Sequence, residues 1–518
     1  MVIFIANLLL YLLLKKGKIW SYILNGVNIL FLIVIFVIIK LGAIDYMEFV
    51  WPEFFTYLGL TAAVLAGIFI FFIYPKTTFA EKKWFKYSLL GVSLVVICIN
   101  IFNVSFNSIS TEPVVYIVGE EYQIVFSSRV ESRAWVTIVE DGEEVRYFDN
   151  YNGSNRSNEK IHKVCIPMEK LDQAKAYEIH VQKVNYRGPF GGFMGRDISA
   201  SYNFIPVDTS DGFQYYNLSD IHMNTEASIK AQSYYDYDLL VLAGDLVSMM
   251  DTYDDANYVN EIAHRMTKGT KPVVYARGNH EIKGKIANEL HKFVGADGEK
   301  FYYTFKVADV YGVVLDMGED HDDEFWEFYD TAQYTKFREE QFKMLEEEIA
   351  TGDYANYKYQ LVVCHIPPVF VNYRKDHVYE KKEFTRLLNQ MGIDMCISGH
   401  QHDLYVFEPG DHITPGEKLI FHTAYDPDDT YSGYLTDHNF VNILVSKRGH
   451  TQTEEVSSTY TKSHIGAFIN VDFTKNEQTI TYNTSDNDLV YIVNPFISRD
   501  KDRSYEKEYG EKIVFKLN

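Results

Sequence analysis

The 518-residue sequence has little cysteine and, over most of its length, a shortage of positive charge. Four cysteines are too few for a disulfide framework, and none has the CxxC spacing of a zinc or redox site. Cys98 lies in an apolar segment near the N-terminus. Cys165, Cys364 and Cys396 lie in apolar, strand-like segments, and we predict that they are buried free thiols. The sequence also lacks internal repeats and low-complexity tracts.

The charge is distributed unevenly. The whole chain carries a formal net charge of −22, although residues 1–104 contribute +4. The remainder is therefore strongly acidic and repels polyanions at long range. This argues against nucleic acid as a partner, unless a local cationic site overrides the field.

Long apolar stretches are concentrated in residues 1–104. Three of them, at 19–44, 54–74 and 85–104, approach the ~20 residues that a helix needs to cross a bilayer. The apolar segment 1–14 is shorter and could be a further span or an interfacial helix. We therefore expect three or four transmembrane helices in residues 1–104, with the lipid bilayer as a partner.

The loops between these stretches predict the orientation. Lysines cluster at 15–18 and 76–86, whereas the loop at 45–53 is acidic. Lysine-rich loops are typical of the cytoplasmic side, so residues from 105 onward are expected outside the cytoplasm of a multi-pass membrane protein. The cores of the spans contain no Asp, Glu or His. This favours an anchor over a transport pathway.

Residues 105–212 have the pattern of short strands. Segments 122–128 and 134–139 alternate apolar with polar residues, and Asp141-Gly142 before 145–148 predicts a hairpin. Strand-like segments at 160–166, 177–184 and 199–205 complete the pattern of an all-β sandwich similar to fibronectin III. Its role could be that of a structural spacer or of a binding module.

From residue 213 strand-like and helical segments alternate, which predicts an α/β domain over 213–447. Strands are expected at 213–218, 238–243, 272–276, 310–316, 359–364, 393–398 and 418–422, and helices at 253–267, 284–293, 335–349 and 382–391. Residues 448–518 form a β-rich extension. It either closes the sheet of the α/β domain or forms a small appended module.

Five short segments that follow predicted strands offer oxygen or nitrogen ligands. They are 219–222 (SDIH), 244–245 (GD), 278–281 (GNHE), 364–365 (CH) and 399–402 (GHQH). Carboxylate, amide and imidazole ligands suit Mn, Fe, Zn or Ni. In extended backbone, residues i and i+2 point to one side, so Asp220 and His222 can face one metal. Asp245 has the chemistry to bridge two cations ~3.5–4 Å apart.

In this order, the five segments resemble the calcineurin-like metallophosphoesterase family over residues 213–447. The resemblance implies a four-layer αββα sandwich. A preceding β-sandwich is also similar to the layout of purple acid phosphatases. Those enzymes lack the histidine at the position of His222 and carry a tyrosine at the position of Ser248, so an iron–tyrosine colour is not expected here.

The resemblance implies two divalent or trivalent transition-metal ions (Mn, Fe or Zn). The first would be held by Asp220, His222, Asp245 and His402, and the second by Asp245, Asn279, His365 and His400. His280 would act on the leaving group, with Asp245 as the other catalytic residue. Glu281 would lie behind the ligands and orient His280 or its neighbours. A hydroxide generated at the metals would then attack phosphorus, without a covalent phosphoenzyme.

The predicted function is that of a membrane-anchored, extracytoplasmic phosphoesterase. Its substrates would be exported nucleotides, phospho-sugars, lipid head groups or wall polymers, and monoesters and diesters both remain open. The acidic, aromatic segment 316–330 could set substrate choice, or 320–329 could be a solvated loop with a few packed aromatics. The alternatives are a non-catalytic surface binding or sensor protein on the same fold, and a transport or assembly protein with a regulatory outer domain.

Overall fold

The computed structural model describes residues 107–188, 191–372, 378–402, 404–411, 418–422, 430–445, 464–490, 492–497 and 504–518. The predicted transmembrane helices of residues 1–104 lie outside these ranges. Within them, no helix combines the length and the apolar character that crossing a bilayer requires.

The region before the α/β domain is rich in strands, as predicted. Its elements are β1 (Ile109–Val118), β2 (Glu121–Glu140), β3 (Glu143–Phe148), β4 (Asn150–Tyr151), β5 (Ser154–Asn155), β6 (Glu159–Pro167), helix α1 (Met168–Ala174), β7 (Ala176–Gly188) and β8 (Gly191–Asn203). Two of the predicted strands are parts of the single long strand β2. The predicted hairpin joins β2 to β3, with positive φ at both Asp141 (51°) and Gly142 (86°). Positive φ at both turn residues matches the twist of the flanking strands.

Alternating strands and helices follow. The strands are β9 (Phe213–Leu218), β10 (Leu239–Ala243), β11 (Pro272–Ala276), β12 (Tyr303–Val307), β13 (Val310–Leu315), β14 (Tyr359–Cys364), β15 (Phe370–Asn372), β16 (Met395–Ser398), β17 (Tyr405–Phe407), β18 (Lys418–His422), β19 (Thr430–Leu435) and β20 (Val441–Leu444). The helices are α2 (Thr225–Gln232), α3 (Tyr253–Thr267), α4 (Tyr334–Thr351) and α5 (Val378–Gln390), with 3-10 turns at Ala287–Lys292, Trp326–Phe328 and Asp353–Asn356.

Local sequence explains why the helix predicted at 253–267 is confirmed and the one at 284–293 is not. Thr252 and Asp255 form a capping box at the start of α3, which satisfies N–H groups that have no partner within the helix. Residues 284–293 contain only the 3-10 turn. Gly284 has a φ of 117°, and a Cβ there would lie 2.3 Å from the carbonyl oxygen of Met250. The chain is thus held in a non-helical turn at the point where the helix was expected to begin.

Two sheets lie face to face between helices. One contains β9, β10 and β11 as parallel neighbours, and the other contains β13, β14, β16 and β20, also parallel. A single core cluster takes side chains from both sheets, including Tyr215, Val241, Val314 and Leu361. Separate clusters pack the opposite faces against α3 and against α4 with α5. The layers are therefore helix, sheet, sheet, helix, and the α/β prediction is confirmed.

The N-terminal strands are joined to the first of these sheets. β1 pairs in parallel with β11, with Val115 opposite Pro272 and Tyr116 opposite Val273. The hydroxyl of Tyr116 donates to Asn260 Oδ1 at 2.9 Å, a buried bond between the two regions. Hydrogen bonds therefore cross the predicted domain boundary near residue 212. Alternation along a strand reveals which face is buried but not which strand lies beside it.

The described part of the chain after residue 464 contains five strands. They are β21 (Ile465–Asp472), β22 (Glu477–Thr484), β23 (Ile492–Ile497), β24 (Ser504–Tyr509) and β25 (Ile513–Lys516). β21 pairs antiparallel with β9, and β22 and β25 follow it outward. These three strands close the edge of the sheet that contains β9, β10 and β11. β23 and β24 belong to a separate five-stranded sheet with β15, β18 and β19.

The described cysteines are free. Cys364 and Cys396 are buried on the neighbouring strands β14 and β16, with their sulfur atoms 3.9 Å apart. The prediction of burial is wrong for Cys165, which is exposed. Its neighbours Val164 and Ile166 point into the core, so the alternation of strand β6 turns Cys165 outward.

Candidate metal centre

The site lies where the parallel strands of both sheets end. Asp220 follows β9, Asp245 follows β10, Asn279 follows β11, His365 follows β14 and His400 follows β16. Open α/β sheets place their ligand sites at these carboxyl ends. Because the two sheets face each other, side chains that are far apart in sequence meet at one edge of the core.

All seven predicted ligands are brought together. Atoms of Asp220, His222, Asp245 and His402 lie within 4.8 Å of one another, and so do atoms of Asp245, His365 and His400. Asn279 joins the second group, because its Oδ1 lies 3.2 Å from His365 Nε2 and 3.1 Å from His400 Nδ1. Asp245 is common to both groups.

The backbone that presents these side chains differs from the expected extended form. Asp220, His222, Asp245, His400 and His402 all have φ between 44° and 71°. Residues other than glycine rarely adopt this left-handed region, and such conformations cluster at functional sites. The expectation that Asp220 and His222 share a direction through extended i, i+2 geometry is therefore wrong. Left-handed turns bring them to the same group instead.

Two glycines of the motifs, Gly278 and Gly399, are required because neighbouring atoms approach them closely, and not because a turn needs a positive φ. A Cβ on Gly278 would lie 2.2 Å from Asp245 Oδ1, and one on Gly399 would lie 1.8 Å from Ser219 Oγ. Neither residue has a positive φ. The space that a side chain would fill is occupied by the carboxylate shared by the two groups and by the hydroxyl beside Asp220.

The carboxylates of Asp220 and Asp245 are each held in place by hydrogen bonds to one of their two oxygens. Asp220 Oδ2 accepts from the Ser219 hydroxyl at 2.8 Å and from the His400 amide at 3.0 Å. Asp220 Oδ1 is buried and makes no well-aligned hydrogen bond among the described residues, although His402 Nε2 lies 3.3 Å away. Asp245 Oδ1 accepts from the His280 amide at 2.9 Å, and its Oδ2 lies 3.1 Å from His365 Nε2. Each carboxylate therefore keeps an oxygen directed at the centre of the site.

Burial and neighbouring charge set the ionisation of the site. Burial opposes ionisation of Asp245, but the charge of His365 holds its pKa at about 2. Burial alone would lower the pKa of His365, yet the Asp245 and Asp220 carboxylates raise it to about 10. Burial lowers the pKa of His222 to about 4, so its imidazole is neutral at pH 7. The buried carboxylates thus attract positive charge, while His222 has a lone pair available for a cation.

His280 lies at the edge of the two groups and belongs to neither. Its Nδ1 lies 2.8 Å from the Ser248 carbonyl oxygen, so Nδ1 carries a proton and donates it in this bond. Its Nε2 then faces the site, 3.8 Å from Asp245 Oδ2, and the side chain is 34% exposed. A ring that is anchored at one nitrogen and open at the other is suited to contact a bound substrate.

Glu281 lies behind the ligands but does not orient His280 directly. Its fully buried carboxylate accepts from the backbone amides of Asp245 (2.9 Å), Leu246 (2.6 Å) and Gly278 (2.8 Å). Burial, with the charge of Asp245, raises its pKa to about 7. Glu281 therefore ties together the two loops that carry Asp245 and Asn279.

Two further carboxylates at the site were not among the predicted ligands or catalytic residues, although they lie in segment 316–330, which the sequence analysis named for substrate choice. Glu319 accepts from Asn279 Nδ2 at 3.0 Å, and Asp320 Oδ2 lies 3.0 Å from His400 Nε2. Both follow the carboxyl end of β13, as the other segments follow their strands. Their position after a strand was the signal that could have identified them, but the acidic residues around them resemble an ordinary solvated loop.

The two groups of potential metal ligands thus lie together at one edge of an α/β domain with two facing sheets. Residues 214–404 match the family model described as calcineurin-like phosphoesterase. No curated protein sequence matches the chain.

Solved structures similar to the chain include a purple acid phosphatase, PPD1, from yellow lupin (Lupinus luteus) seeds. It is 13% identical, with a TM-score of 0.45, over 76% of this chain and 75% of that one. A structure of PhoD is 9% identical, with a TM-score of 0.42, over 76% and 91%. The GAP50 anchor of the Plasmodium inner membrane complex is 13% identical, with a TM-score of 0.32, over 60% and 89%. At these scores, none indicates a substrate for this chain.

Proposed function

We propose that the protein is a membrane-anchored, extracytoplasmic phosphoesterase whose centre holds two metal ions. The observation that carries the proposal is that Asp245 is shared by two adjacent groups of potential ligands. Asp220, His222 and His402 complete the first group, and Asn279, His365 and His400 complete the second. Oxygen and imidazole nitrogen are ligands that suit Mn, Fe or Zn.

The donor atoms fit such ions. Asp220 Oδ1 is buried and makes no well-aligned hydrogen bond among the described residues, and it lies 3.3 Å from His402 Nε2, so the two atoms are placed to share a cation. When bound, two cations stabilise charge on phosphoryl oxygens and lower the pKa of water. The protein's own contribution is to hold the ligands on rigid strand ends and to place a histidine beside them.

His280 is proposed to act on the leaving group. Its Nδ1–H is held by the Ser248 carbonyl, which fixes the ring and directs Nε2 towards the substrate position. When protonated, Nε2 can donate to the oxygen that leaves phosphorus. General acid catalysis by a positioned side chain contributes roughly 10²–10⁴-fold to the rate.

The location and substrate class are proposed from the sequence. The apolar stretches of residues 1–104 and their lysine-rich loops support a multi-pass anchor in the lipid bilayer with the catalytic region outside the cytoplasm. Substrates would then be exported phosphate esters, either small molecules or esters linked to lipid or wall polymers. The acidic outer region argues against nucleic acid.

The experiment uses the full chain, purified with its bound metals. Metal content is measured first, and hydrolysis is then followed on a panel of mono- and diesters that includes sugar- and lipid-linked phosphates. Wild type is expected to bind metal and to cleave at least one class. Asp245→Asn should lower turnover by at least ~10²-fold, whereas the control Asp141→Asn, at an exposed carboxylate in the β2–β3 hairpin, should not. Bound metal without hydrolysis of any ester would favour the non-catalytic alternative and contradict the proposal.

A further inference from the structure

Two adjacent carboxylates face two ligands of the same proposed metal position. Glu319 Oε1 accepts from Asn279 Nδ2 at 3.0 Å. Asp320 Oδ2 lies 3.0 Å from His400 Nε2, while Nδ1 of the same imidazole lies 3.1 Å from Asn279 Oδ1. Each carboxylate contacts the end of Asn279 or His400 that is opposite the atom facing the metal position. His400 belongs to the second group and not to the first, and Asn279 joins the second group through its contacts with His365 and His400.

These contacts decide which atom of each ligand faces the centre. An amide has a donor end and an acceptor end, and a neutral imidazole has one donor and one acceptor nitrogen. An ionised carboxylate only accepts. Glu319 therefore holds the NH₂ end of Asn279 and leaves Oδ1 for a cation. In the same way, Asp320 holds the proton of His400 on Nε2 and leaves the Nδ1 lone pair directed at the site.

The segment that carries the two carboxylates is fixed from behind by helix α4. Gln341 makes two bonds to the Asp316 backbone, accepting its N–H at 3.0 Å and donating to its carbonyl at 2.6 Å. The fully buried Arg338 donates to the carbonyls of Met317 (2.9 Å) and Glu319. Lys283 also forms an ion pair with Glu319 at 2.6 Å. A rigid helix thus holds a short backbone segment, and that segment holds the two ligands.

We propose that Glu319 and Asp320 are positioning residues for the second metal ion, selecting the oxygen of Asn279 and Nδ1 of His400 as its ligands. The inference rests on the proposed function, because it assumes that this group binds metal. It predicts a selective effect. Loss of either carboxylate should weaken the second ion, while the first, held by Asp220, His222, Asp245 and His402, stays bound.

The test is a metal titration of the full chain by calorimetry, with bound metal also counted after dialysis. Glu319→Ala and Asp320→Ala should each weaken the second binding step by about 10–100-fold and leave the first step unchanged, the usual scale for groups that orient metal ligands. Glu319→Gln and Asp320→Asn keep an acceptor oxygen and should lose less, about threefold to tenfold. Glu324→Gln and Asp330→Asn, exposed carboxylates of the same loop, are the matched controls and should behave as wild type.

Several outcomes would overturn the inference. Wild-type affinity for the second ion in both alanine variants would do so, and so would equal weakening of both ions in variants that keep the wild-type circular dichroism spectrum. If the alanine variants fail to fold, the glutamine and asparagine variants decide, and unchanged second-ion affinity in both overturns it. A wild-type chain that binds no metal would instead overturn the proposed function, and this inference with it.

Discussion

The Nε2 atoms of His222 and His402 lie 3.2 Å apart, facing each other across the first group of ligands. Only one proton can lie between two imidazole nitrogens at that distance, and two facing lone pairs repel. Burial holds the pKa of His222 near 4, so protonation of both imidazoles is unfavourable at pH 7. One ring can donate an N–H to the lone pair of the other, and a cation that replaces this proton would contact both lone pairs, which links folding stability to metal.

Metal removal should therefore destabilise the protein. Ligand that binds only the folded state adds about 2.7 kcal/mol at a hundredfold excess over its Kd. We expect the thermal unfolding midpoint of the full chain to fall on chelation and to recover with added metal. The recovery should shrink in His222→Ala but not in His180→Ala, a histidine on β7 outside the site. An unfolding midpoint that is the same with metal and with chelator would contradict this prediction.

Replacing His280 should separate chemistry from metal binding. His280→Ala removes a ring that touches the site but belongs to neither ligand group. Turnover is expected to fall by at least ~10²-fold, the scale of a positioned acid or base. Bound metal per chain should stay at the wild-type value. Steady-state kinetics combined with metal analysis tests both statements, and normal turnover with metal retained would refute the role of His280.

A single methyl group at Gly278 should disrupt the centre. The Cβ of Gly278→Ala would lie 2.2 Å from Asp245 Oδ1 and 2.7 Å from Glu281 Oε2, so the shared carboxylate must move. We expect metal affinity to fall by at least tenfold, on the order of the change when a ligand is misplaced. Gly510→Ala is the matched control, because no atom lies within 4 Å of its added Cβ. Titration calorimetry on both variants provides the comparison, and equal affinities would show that the site tolerates the shift.

Much of the site could be predicted because each segment that carries ligands follows the end of a strand. The predicted bounds of β9, β11 and β14 agree with those of the structure. Asp220, Asn279 and His365 lie next to the ends of these strands or a few residues beyond them. Sequence order along an α/β domain is enough to place such residues at one edge. The left-handed backbone of Asp220 and His402 was not predictable, because side-chain type does not determine φ.

Other features depend on contacts that no local pattern encodes. The pairing of β1 with β11 joins residues far apart in the chain, and a strand pattern does not identify its partner. Glu319 and Asp320 stand among other acidic residues and look like part of a solvated loop. The buried Arg338 of α4 binds the backbone at Glu319 and so holds this segment at the site.

Asp394 should make stability depend on pH. Burial raises its pKa to about 6 from an ordinary 3.8, although the N–H groups of Gln360 and Asn518 oppose the rise. The folded state therefore binds the proton more tightly than the unfolded state does. The stabilisation from this group is fully present below about pH 4 and is lost as pH rises from about 4 to about 6. A shift of this size corresponds to about 3 kcal/mol.

Asp394→Asn removes this titration. The difference in unfolding free energy between variant and wild type should therefore change by about 3 kcal/mol between pH 4 and pH 7, in favour of the variant at pH 7. Denaturant unfolding in chelator, at both pH values, isolates the effect from metal binding. A difference that stays constant across this range would show that Asp394 has an ordinary pKa in the folded state.

The most direct test of the central claim is electron paramagnetic resonance of the full chain loaded with Mn²⁺. If Asp245 is shared between two occupied positions, the spectrum should show a spin-coupled pair and metal analysis should give two ions per chain. A spectrum of isolated Mn²⁺ with one ion per chain, or with none, would contradict the account.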